Sequence, residues 1–300
     1  MDKKEKKSIA SLKSQEKHRK NGIAHQIQSK IRNVVSGVFG VVGIIALILV
    51  YTIITKDNNT TLSLESVSAS YELSAYFEPF ERMTEQQSIN PDVQLFMRTL
   101  SLSKNTAKHS GYPDILKGLE NIRALDEVNI MSAWIADLDG SVLITSEGYI
   151  SEESWDITSR PWFECIEQNR IVLTVPYEDT STGENVITVA CPVFDSNGKA
   201  LGVAGIDIGV HSIRESMKHY IFGDNGFAVL IASDGTIIYH PDAQIVDQKL
   251  ADTGISQIVV DMFEKEEEGL VNFKVLGESR RGYMIPVGST GYVVLSSISQ

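Results

Sequence analysis

The sequence predicts an α+β protein in which one apolar helix and one long polar helix precede two antiparallel sheets. Three observations predict this fold class. Residues 34–54 form a run of 21 residues without a charge. Residues 62–83 repeat apolar side chains at the three- and four-residue spacings typical of a helix. From residue 130 onward, short apolar runs are bounded by turn residues, which is typical of strands.

The amino-terminal arm, residues 1–33, is strongly basic. It contains ten Lys/Arg and three Asp/Glu, and its charge of +7 leaves −19 on the rest of a chain whose net charge is −12. We expect a largely disordered cytoplasmic arm close to anionic lipid. The acidic body argues against nucleic acid as a partner.

Residues 34–54 match the roughly 20 apolar residues that a helix needs to cross a bilayer. A secretory signal peptide fits less well, because its apolar run is usually about 7–15 residues and ends at a small-residue cleavage site. The positive-inside rule then predicts a cytoplasmic amino terminus, with Lys56 and all that follows outside the membrane.

A helical stalk is predicted for residues 55–112. One seam carries apolar residues at heptad-like spacing, namely Leu62, Ala69, Leu73, Tyr76, Phe80 and Met83. This seam either pairs with its copy in a homodimer or packs on the body of the same chain. Pro79 should kink or break the helix. Further helices are predicted from Pro91 to about residue 108 and over residues 115–126.

Two sheet units follow, over residues 113–222 and 223–300. Each opens on a hairpin with an Asp-Gly turn, at Asp139 and at Asp234, and each closes on three strands. The first unit is predicted to have five strands (131–137, 142–146, 171–176, 185–194 and 200–208), a short helix at 161–168 and a connecting helix at 211–222. The second has strands at 227–232, 236–240, 269–276, 280–286 and 291–298 and a helix at 253–266.

The segment 155–207 groups the residues that a small zwitterion needs. Arg160 precedes Pro161, which favours an extended residue at the mouth of a short helix. A guanidinium matches a carboxylate bidentately. Asp207, helped by Asp179, is predicted to hold an ammonium group, and aromatic side chains would exclude water.

Three stretches carry a resemblance to a known family: RPWF, VPYEDTSTGENVITVACPVFDSNGKALGVAGIDI and GFAVLIASDGTIIYHPD. Together they resemble the double Cache extracytoplasmic sensors of bacterial receptors, over residues 56–299. The resemblance implies a membrane-distal PAS-like module (113–222) that binds ligand and a membrane-proximal one (223–300). It also implies a second membrane helix after Gln300 and an output module of the chemoreceptor, sensor-kinase or cyclic-dinucleotide type.

One subgroup of that family binds amino acids, and its motif can be followed residue by residue. Arg160 and Trp162 match the residues that hold the ligand carboxylate, and Asp207 matches the one that holds the ammonium. Tyr177 and Asp179 match a Tyr-x-Asp pair. Trp155 and Phe163 stand where tyrosine is typical, which puts the preferred side chain in doubt more than the ligand class.

Each of these residues has a structural alternative. Arg160 could form a helix-mouth salt bridge, and Asp179 could cap the loop 179–183. Trp155, Phe163 and Tyr177 could be plain core residues.

Other features of the sequence are expected to be structural. Trp134 is expected to be core rather than pocket, and His240 to end a strand without a metal. Cys165 and Cys191 are expected to be buried and unpaired rather than disulfide-bonded.

No phosphate loop, dinucleotide glycine pattern or hydrolase motif occurs, and no cofactor is predicted. An acid pair of Asp179 and Asp207 is expected to stay ionised beside Arg160, which would defeat a general-acid role. The sequence therefore predicts a ligand-binding sensor domain. A pocketless interaction module, or a site for an amine or carboxylate, is the alternative.

Overall fold

The computed structural model describes residues 3–100, 105–179, 182–222 and 225–299, and their side chains from residue 28 onward except Phe222. The chain divides into two compact units, residues 1–60 and 61–300. The first is a single helix, and the second holds both sheets.

Helix α1 runs from Lys3 to Ser88. The disorder predicted for the arm is therefore wrong for its described part, which contains no proline and is rich in helix-forming Lys, Gln and Glu. A kink or a break was predicted at Pro79, and the break is wrong because α1 continues through this residue. The neighbouring Phe77 and Phe80 are buried, so core packing outweighs the lost backbone hydrogen bond.

Within the first unit, the apolar run of α1 has no protein to pack on. Every large hydrophobic residue from Val34 to Ile54 is exposed. In the described chain, α1 is the one helix long and apolar enough to cross a membrane.

Two further helices precede the first sheet, and three more accompany the sheets. They are α2 (Pro91–Leu100), α3 (Tyr112–Arg123), α4 (Glu164–Gln168), α5 (Val210–Met217) and α6 (Gln257–Glu264). The predicted extent of α2 to about residue 108 is wrong, because Asn105 is extended and Thr106–Lys108 form a separate 3-10 turn. Residues 101–104 lie outside the described chain.

Twelve strands form two sheets in the described chain. The first sheet contains β1 (Ile130–Asp137), β2 (Val142–Thr145), β3 (Val172–Leu173), β4 (Tyr177–Glu178), β5 (Asn185–Phe194) and β6 (Ala200–Gly209). The second contains β7 (Ile221–Phe222), β8 (Gly226–Ile231), β9 (Ile237–Tyr239), β10 (Gly269–Val275), β11 (Glu278–Pro286) and β12 (Val293–Ser299).

The distal sheet has the order β2-β1-β6-β5-β3, with β4 also paired to β5, and every pairing is antiparallel. It has six strands rather than the predicted five, because the strand expected at 171–176 is shortened to β3 and an additional strand, β4, follows Pro176. The helix expected at 211–222 ends at Met217, and β7 follows it and joins the second sheet.

The two faces of the distal sheet have different roles. One face, including Ile135, Val189 and Ile206, packs in a core shared with α1, α2 and α3. The opposite face carries Trp134 and Ala190, and the chain between β2 and β5 folds over it. This second face holds all the predicted site residues.

The proximal sheet has the order β10-β11-β12-β8-β7, with β9 paired to β8. One of its faces joins the shared core through residues such as Leu230 and Val294. The other packs against α6 in a separate apolar core that includes Val229, Phe273 and Leu295.

Tyr292 connects the two modules. Its hydroxyl donates a hydrogen bond to the carbonyl oxygen of Thr174 at 2.5 Å, and the side chain is completely buried. Its ring packs edge-on against Phe77 of α1 at a centroid distance of 5.8 Å. Thr174 in turn accepts a hydrogen bond at its hydroxyl from the Thr188 amide in the distal sheet.

Candidate functional site

Asp207 is the deepest charged residue of the site. It lies on β6 between Ser132 of β1 and Thr188 of β5, and only 2% of it is exposed. The Thr188 hydroxyl donates to its Oδ1 at 2.5 Å. Burial raises the pKa of Asp207 to about 7, although hydrogen bonding to Thr188 and Trp134 opposes the rise. The expectation that Arg160 keeps this carboxyl ionised is therefore wrong, because desolvation dominates.

Tyr177 extends this hydrogen-bonded chain. Its hydroxyl lies 2.7 Å from that of Thr188, whose single proton is directed at Asp207. Tyr177 is therefore the donor to Thr188. Burial raises the pKa of Tyr177 well above its usual range, so the phenol keeps its proton. The relay Tyr177–Thr188–Asp207 fixes the ring and the carboxyl relative to each other.

Arg160 lies on the other side of the same tyrosine. Its backbone is extended before Pro161, as predicted, and the short helix beyond it begins as a 3-10 turn over Pro161–Phe163. The guanidinium carbon is 5.3 Å from the Tyr177 ring centroid. No described residue forms a salt bridge or hydrogen bond with the guanidinium, so the helix-mouth salt bridge is not formed there.

The aromatic residues form a wall over the sheet. Trp162 is 2% exposed and stacks on Trp134 at a centroid distance of 4.5 Å, with Trp155 on its other side at 6.1 Å. Phe163 packs on the same cluster. The indole nitrogen of Trp155 is buried and has no hydrogen-bond partner among the described residues. A buried donor of this kind costs about 1–3 kcal/mol unless a ligand satisfies it.

Asp179 has the turn role that the sequence left open. Its Oδ2 accepts from the backbone N–H of Thr182 at 2.7 Å and from the Thr182 hydroxyl at 2.9 Å. Its backbone closes the loop with Gly183 and Glu184. The carboxylate also lies close enough to Asp207 to raise the pKa of that residue, so a part in ammonium binding stays a prediction.

Two residues of the site were not predicted. Trp134 is buried core, as expected, but its indole also hydrogen-bonds to Asp207. Its ring lies flat on Gly205, where an added Cβ would be 2.2 Å from the ring. The glycine two residues before Asp207 was the sequence signal for this contact. Glu147 also reaches the site, since its charge raises the pKa of Asp207.

The two cysteines and His240 were expected to be structural. Cys165 and Cys191 are buried and free, as expected, and burial raises the pKa of the Cys165 thiol to about 12. His240 accepts a hydrogen bond from the Asp242 amide. The described residues contain no cluster of three metal-ligating side chains.

Two tandem α+β modules, with a charged and aromatic site on the first sheet, define a sensor-type ligand-binding domain. The chain belongs to the Cache domain family (dCache_1), whose model matches residues 8–300.

Several of its sequence relatives are chemotaxis proteins. Methyl-accepting chemotaxis protein PscA of Pseudomonas syringae is 34% identical over 93 residues, 31% of this chain and 15% of PscA. McpG of Pseudomonas putida is 23% identical over 59% of this chain and 30% of McpG. The chain thus spans less than a third of the length of these relatives.

Solved structures share the fold. The ligand-binding domain of the Pseudomonas aeruginosa amino acid chemoreceptor PctB, in complex with L-Arg, superposes with a TM-score of 0.60 at 19% identity, covering 82% of this chain and 96% of that one. That of Pseudomonas fluorescens CtaA with L-leucine gives 0.60 at 18% identity, covering 83% and 97%.

Proposed function

We propose that this chain is the membrane-anchored extracytoplasmic sensor domain of a signal-transduction receptor, and that its distal site binds a small amino acid. The relatives' names favour a chemotaxis receptor over a sensor kinase or cyclic-dinucleotide enzyme. Similar domains have been solved with L-Arg and L-leucine.

The observation that carries this proposal is the pairing of opposite charges around Tyr177. Arg160, without an ionic partner among the described residues, lies over the ring, and Asp207 is two hydrogen bonds from the hydroxyl. An amino acid offers a carboxylate to Arg160 and an ammonium to Asp207. Each charged hydrogen bond contributes about 1.5–3 kcal/mol net.

The aromatic wall supplies the rest of the binding site. The Trp155 N–H is a donor that a ligand carboxylate would satisfy, and Trp162 lies beside it. Phe163 and Tyr177 exclude water, which strengthens both charged contacts. Asp179 adds negative charge at the ammonium end.

Access to Asp207 requires movement, because its carboxyl is almost completely buried. The chain over the site face, residues 150–179, must open to admit a ligand and close on it. A ligand that contacts this chain and the sheet together favours the closed state. This is the conformational change that we expect to carry the signal.

Helix α1 provides both the proposed membrane anchor and the proposed dimer surface. Its exposed apolar run at residues 34–54 is the proposed membrane span, with the basic arm in the cytoplasm and the modules outside. Leu64, Val67 and Tyr71 lie exposed along one side of the stalk, which favours a homodimer through α1. We propose ligand binding without chemistry on the ligand.

A calorimetric screen tests the proposal. The 300-residue chain in lipid nanodiscs is titrated with the standard amino acids, GABA, simple amines and organic acids. We expect selected amino acids to bind, and Asp207→Asn to weaken them at least about 30-fold. Asp139→Asn, at an exposed ion pair with Lys199, is the matched control and should bind normally.

Three results would contradict the proposal. Binding unchanged by Asp207→Asn would place the ligand elsewhere. No binding by any compound would favour the interaction module, and turnover of a bound ligand would indicate an enzyme.

A further inference from the structure

Glu147 follows β2 at the edge of the site face, and its carboxylate reaches β1, the strand next to that of Asp207. Ser132 is the cross-strand neighbour of Asp207 on β1, and its hydroxyl donates to Glu147 Oε2 at 2.8 Å. Glu147 Oε1 accepts from the Ser146 hydroxyl at 2.7 Å and lies 3.3 Å from Arg123 on α3. Its side chain is 29% exposed, so a further donor can approach.

A neutral amino acid leaves the charges of this face unbalanced. Its carboxylate and ammonium match Arg160 and Asp207, but the charges of Asp179 and Glu147 also act on Asp207. Arg123 forms a partly exposed ion pair with Glu147, so with Arg160 the face has two guanidinium groups against the three carboxylates of Asp179, Asp207 and Glu147. The site has more negative than positive charge, which favours a second cation on the ligand.

Thr145 is an independent observation that points to a ligand group at this edge of the sheet. It is the cross-strand partner of Trp134 and therefore lies on the site face. The residue is 2% exposed, and its Oγ1 has no hydrogen-bond partner among the described residues. Thr145 and Glu147 are two residues apart along the same edge of the sheet, where a hydroxyl can accept from a donor that reaches Glu147.

We propose that the ligand is an amino acid with a cationic side chain, whose α-groups bind Arg160 and Asp207 and whose second cation binds Glu147 beside Thr145. This rests on the proposed function and names its ligand class. Glu147 is a specificity-determining residue in this assignment.

The order of groups across the sheet fits such a ligand. Arg160 and Tyr177 lie toward β4 and β5, Asp207 on β6, Ser132 on β1, and Glu147 beyond the end of β2. Neighbouring strands are about 4.8 Å apart. The Glu147 carboxylate, held at Ser132, is thus about one strand spacing from Asp207, within reach of the four-carbon stem of lysine.

Lysine and norleucine form a matched ligand pair, because they differ in the terminal ammonium. Isothermal titration of the full chain in nanodiscs should give lysine or arginine at least about tenfold tighter binding than norleucine. Glu147→Gln keeps an amide oxygen for Ser132 and Ser146 but removes the charge. It should abolish this preference while norleucine affinity changes less than about twofold.

Two further variants separate specificity from structure. Arg123→Gln removes the cation that competes for Glu147, so lysine affinity should rise and norleucine affinity should not. Glu153→Gln, at an exposed glutamate of the same module, should leave both affinities unchanged. If Glu147 had only a structural role, Glu147→Gln would change the affinities for lysine and norleucine together or change neither.

The outcomes are distinguishable. If norleucine binds as well as lysine, and Asp207→Asn abolishes both, the cationic class is overturned while amino-acid binding stands. An unchanged lysine preference in Glu147→Gln would also overturn the role of Glu147. If no amino acid binds, the proposed function fails and this inference fails with it.

Discussion

Each module has an arginine that lies over an aromatic ring, but the two arginines differ in their other contacts. Arg160 in the distal module lies over the Tyr177 ring at 5.3 Å, and Arg280 in the proximal module lies over the Phe227 ring at 4.3 Å. Arg280 also donates to the Ser297 hydroxyl and to the Asn225 carbonyl, and its side chain is 5% exposed. Arg160 has no such partners among the described residues. Arg280 is therefore part of a packed core, whereas Arg160 is the residue that we propose to bind the ligand carboxylate.

The sheets differ in the same way at matching positions. Ser132 and Phe227 each lie seven residues before the aspartate of the following Asp-Gly turn. Their cross-strand partners are Asp207 and Ser297. The distal position thus carries a buried acid, whereas the proximal one carries a hydroxyl that Arg280 already uses.

Below the aromatic and apolar side chains of the proximal face lies a small cavity. This cavity of about 20 Å³ is lined mainly by apolar side chains such as Val229 and Leu295. That volume holds about one water molecule. The comparison teaches that the fold provides a face in each module, and that the polar residues placed on it decide whether the face can bind a ligand.

The largest expected effect is at Arg160. Arg160→Ala should weaken amino-acid binding about 100-fold, because the ligand carboxylate loses its charged partner. Stability without ligand should change by less than about 0.5 kcal/mol. Titration calorimetry and urea unfolding measure the two quantities. Arg170→Ala, at an exposed arginine of the same module, is the control and should bind normally. Normal binding by Arg160→Ala would show that Arg160 and Arg280 do not differ in ligand binding.

Arg280→Ala should have the opposite signature. It leaves the Asn225 carbonyl and the Ser297 hydroxyl without their donor, so we expect a loss of about 2–3 kcal/mol in unfolding free energy. Ligand affinity should stay within about twofold. Arg280→Lys should lose less, because it keeps the charge. If Arg280→Ala weakened ligand binding and left stability unchanged, the proximal module would contain a functional site.

Gly205→Ala and Gly282→Ala test the packing of the two sheets. A Cβ at Gly205 would meet the Trp134 ring at 2.2 Å, and one at Gly282 would meet the Phe273 ring at 2.8 Å. Each should lower the unfolding free energy by about 1–3 kcal/mol. Gly205→Ala alone should also weaken ligand binding, since it displaces Trp134 from Asp207. If both variants weakened ligand binding equally, the two sheets would not differ in their role in binding.

The pH dependence of ligand binding should arise in the distal module. Because the ligand ammonium needs an ionised Asp207, whose pKa is about 7, affinity should fall by about tenfold per pH unit below 7. The raised pKa has the opposite effect on unliganded stability, which should fall as pH rises from about 4 to 7, because the folded state holds the extra proton.

Calorimetry between pH 5.5 and 8.5 measures both trends. Asp207→Asn should remove the pH dependence of binding and reduce that of stability, to which the buried Asp137 also contributes. Asp137→Asn is the control, since burial raises the pKa of Asp137 to about 6 although it lies on the opposite face of β1. A binding profile that is flat through pH 7 would contradict the assigned role of Asp207.

Much of the fold could be predicted from local patterns. The Asp-Gly turns located both hairpins, and β5 has its predicted bounds because it is long and buried. β4 was missed because it has only two residues and directly follows Pro176. The path of α1 through Pro79 depends on tertiary packing, which a local rule does not include.

The site could be predicted in part. Arg160, Tyr177 and Asp207 were expected together, and the structure brings them around one ring. The raised pKa of Asp207 was missed because it depends on burial. Glu147 was missed because it joins the site through Ser132 on the next strand, a contact that no spacing in the sequence specifies.

The Tyr292 hydroxyl has a mechanical consequence. Four residues, Asp207, Thr188, Thr174 and Tyr292, are linked in series by hydrogen bonds, and the series ends on Phe77 of the stalk. If ligand binding, as we propose it, displaces Asp207, this series connects that movement to the contact between the two modules and to the stalk helix.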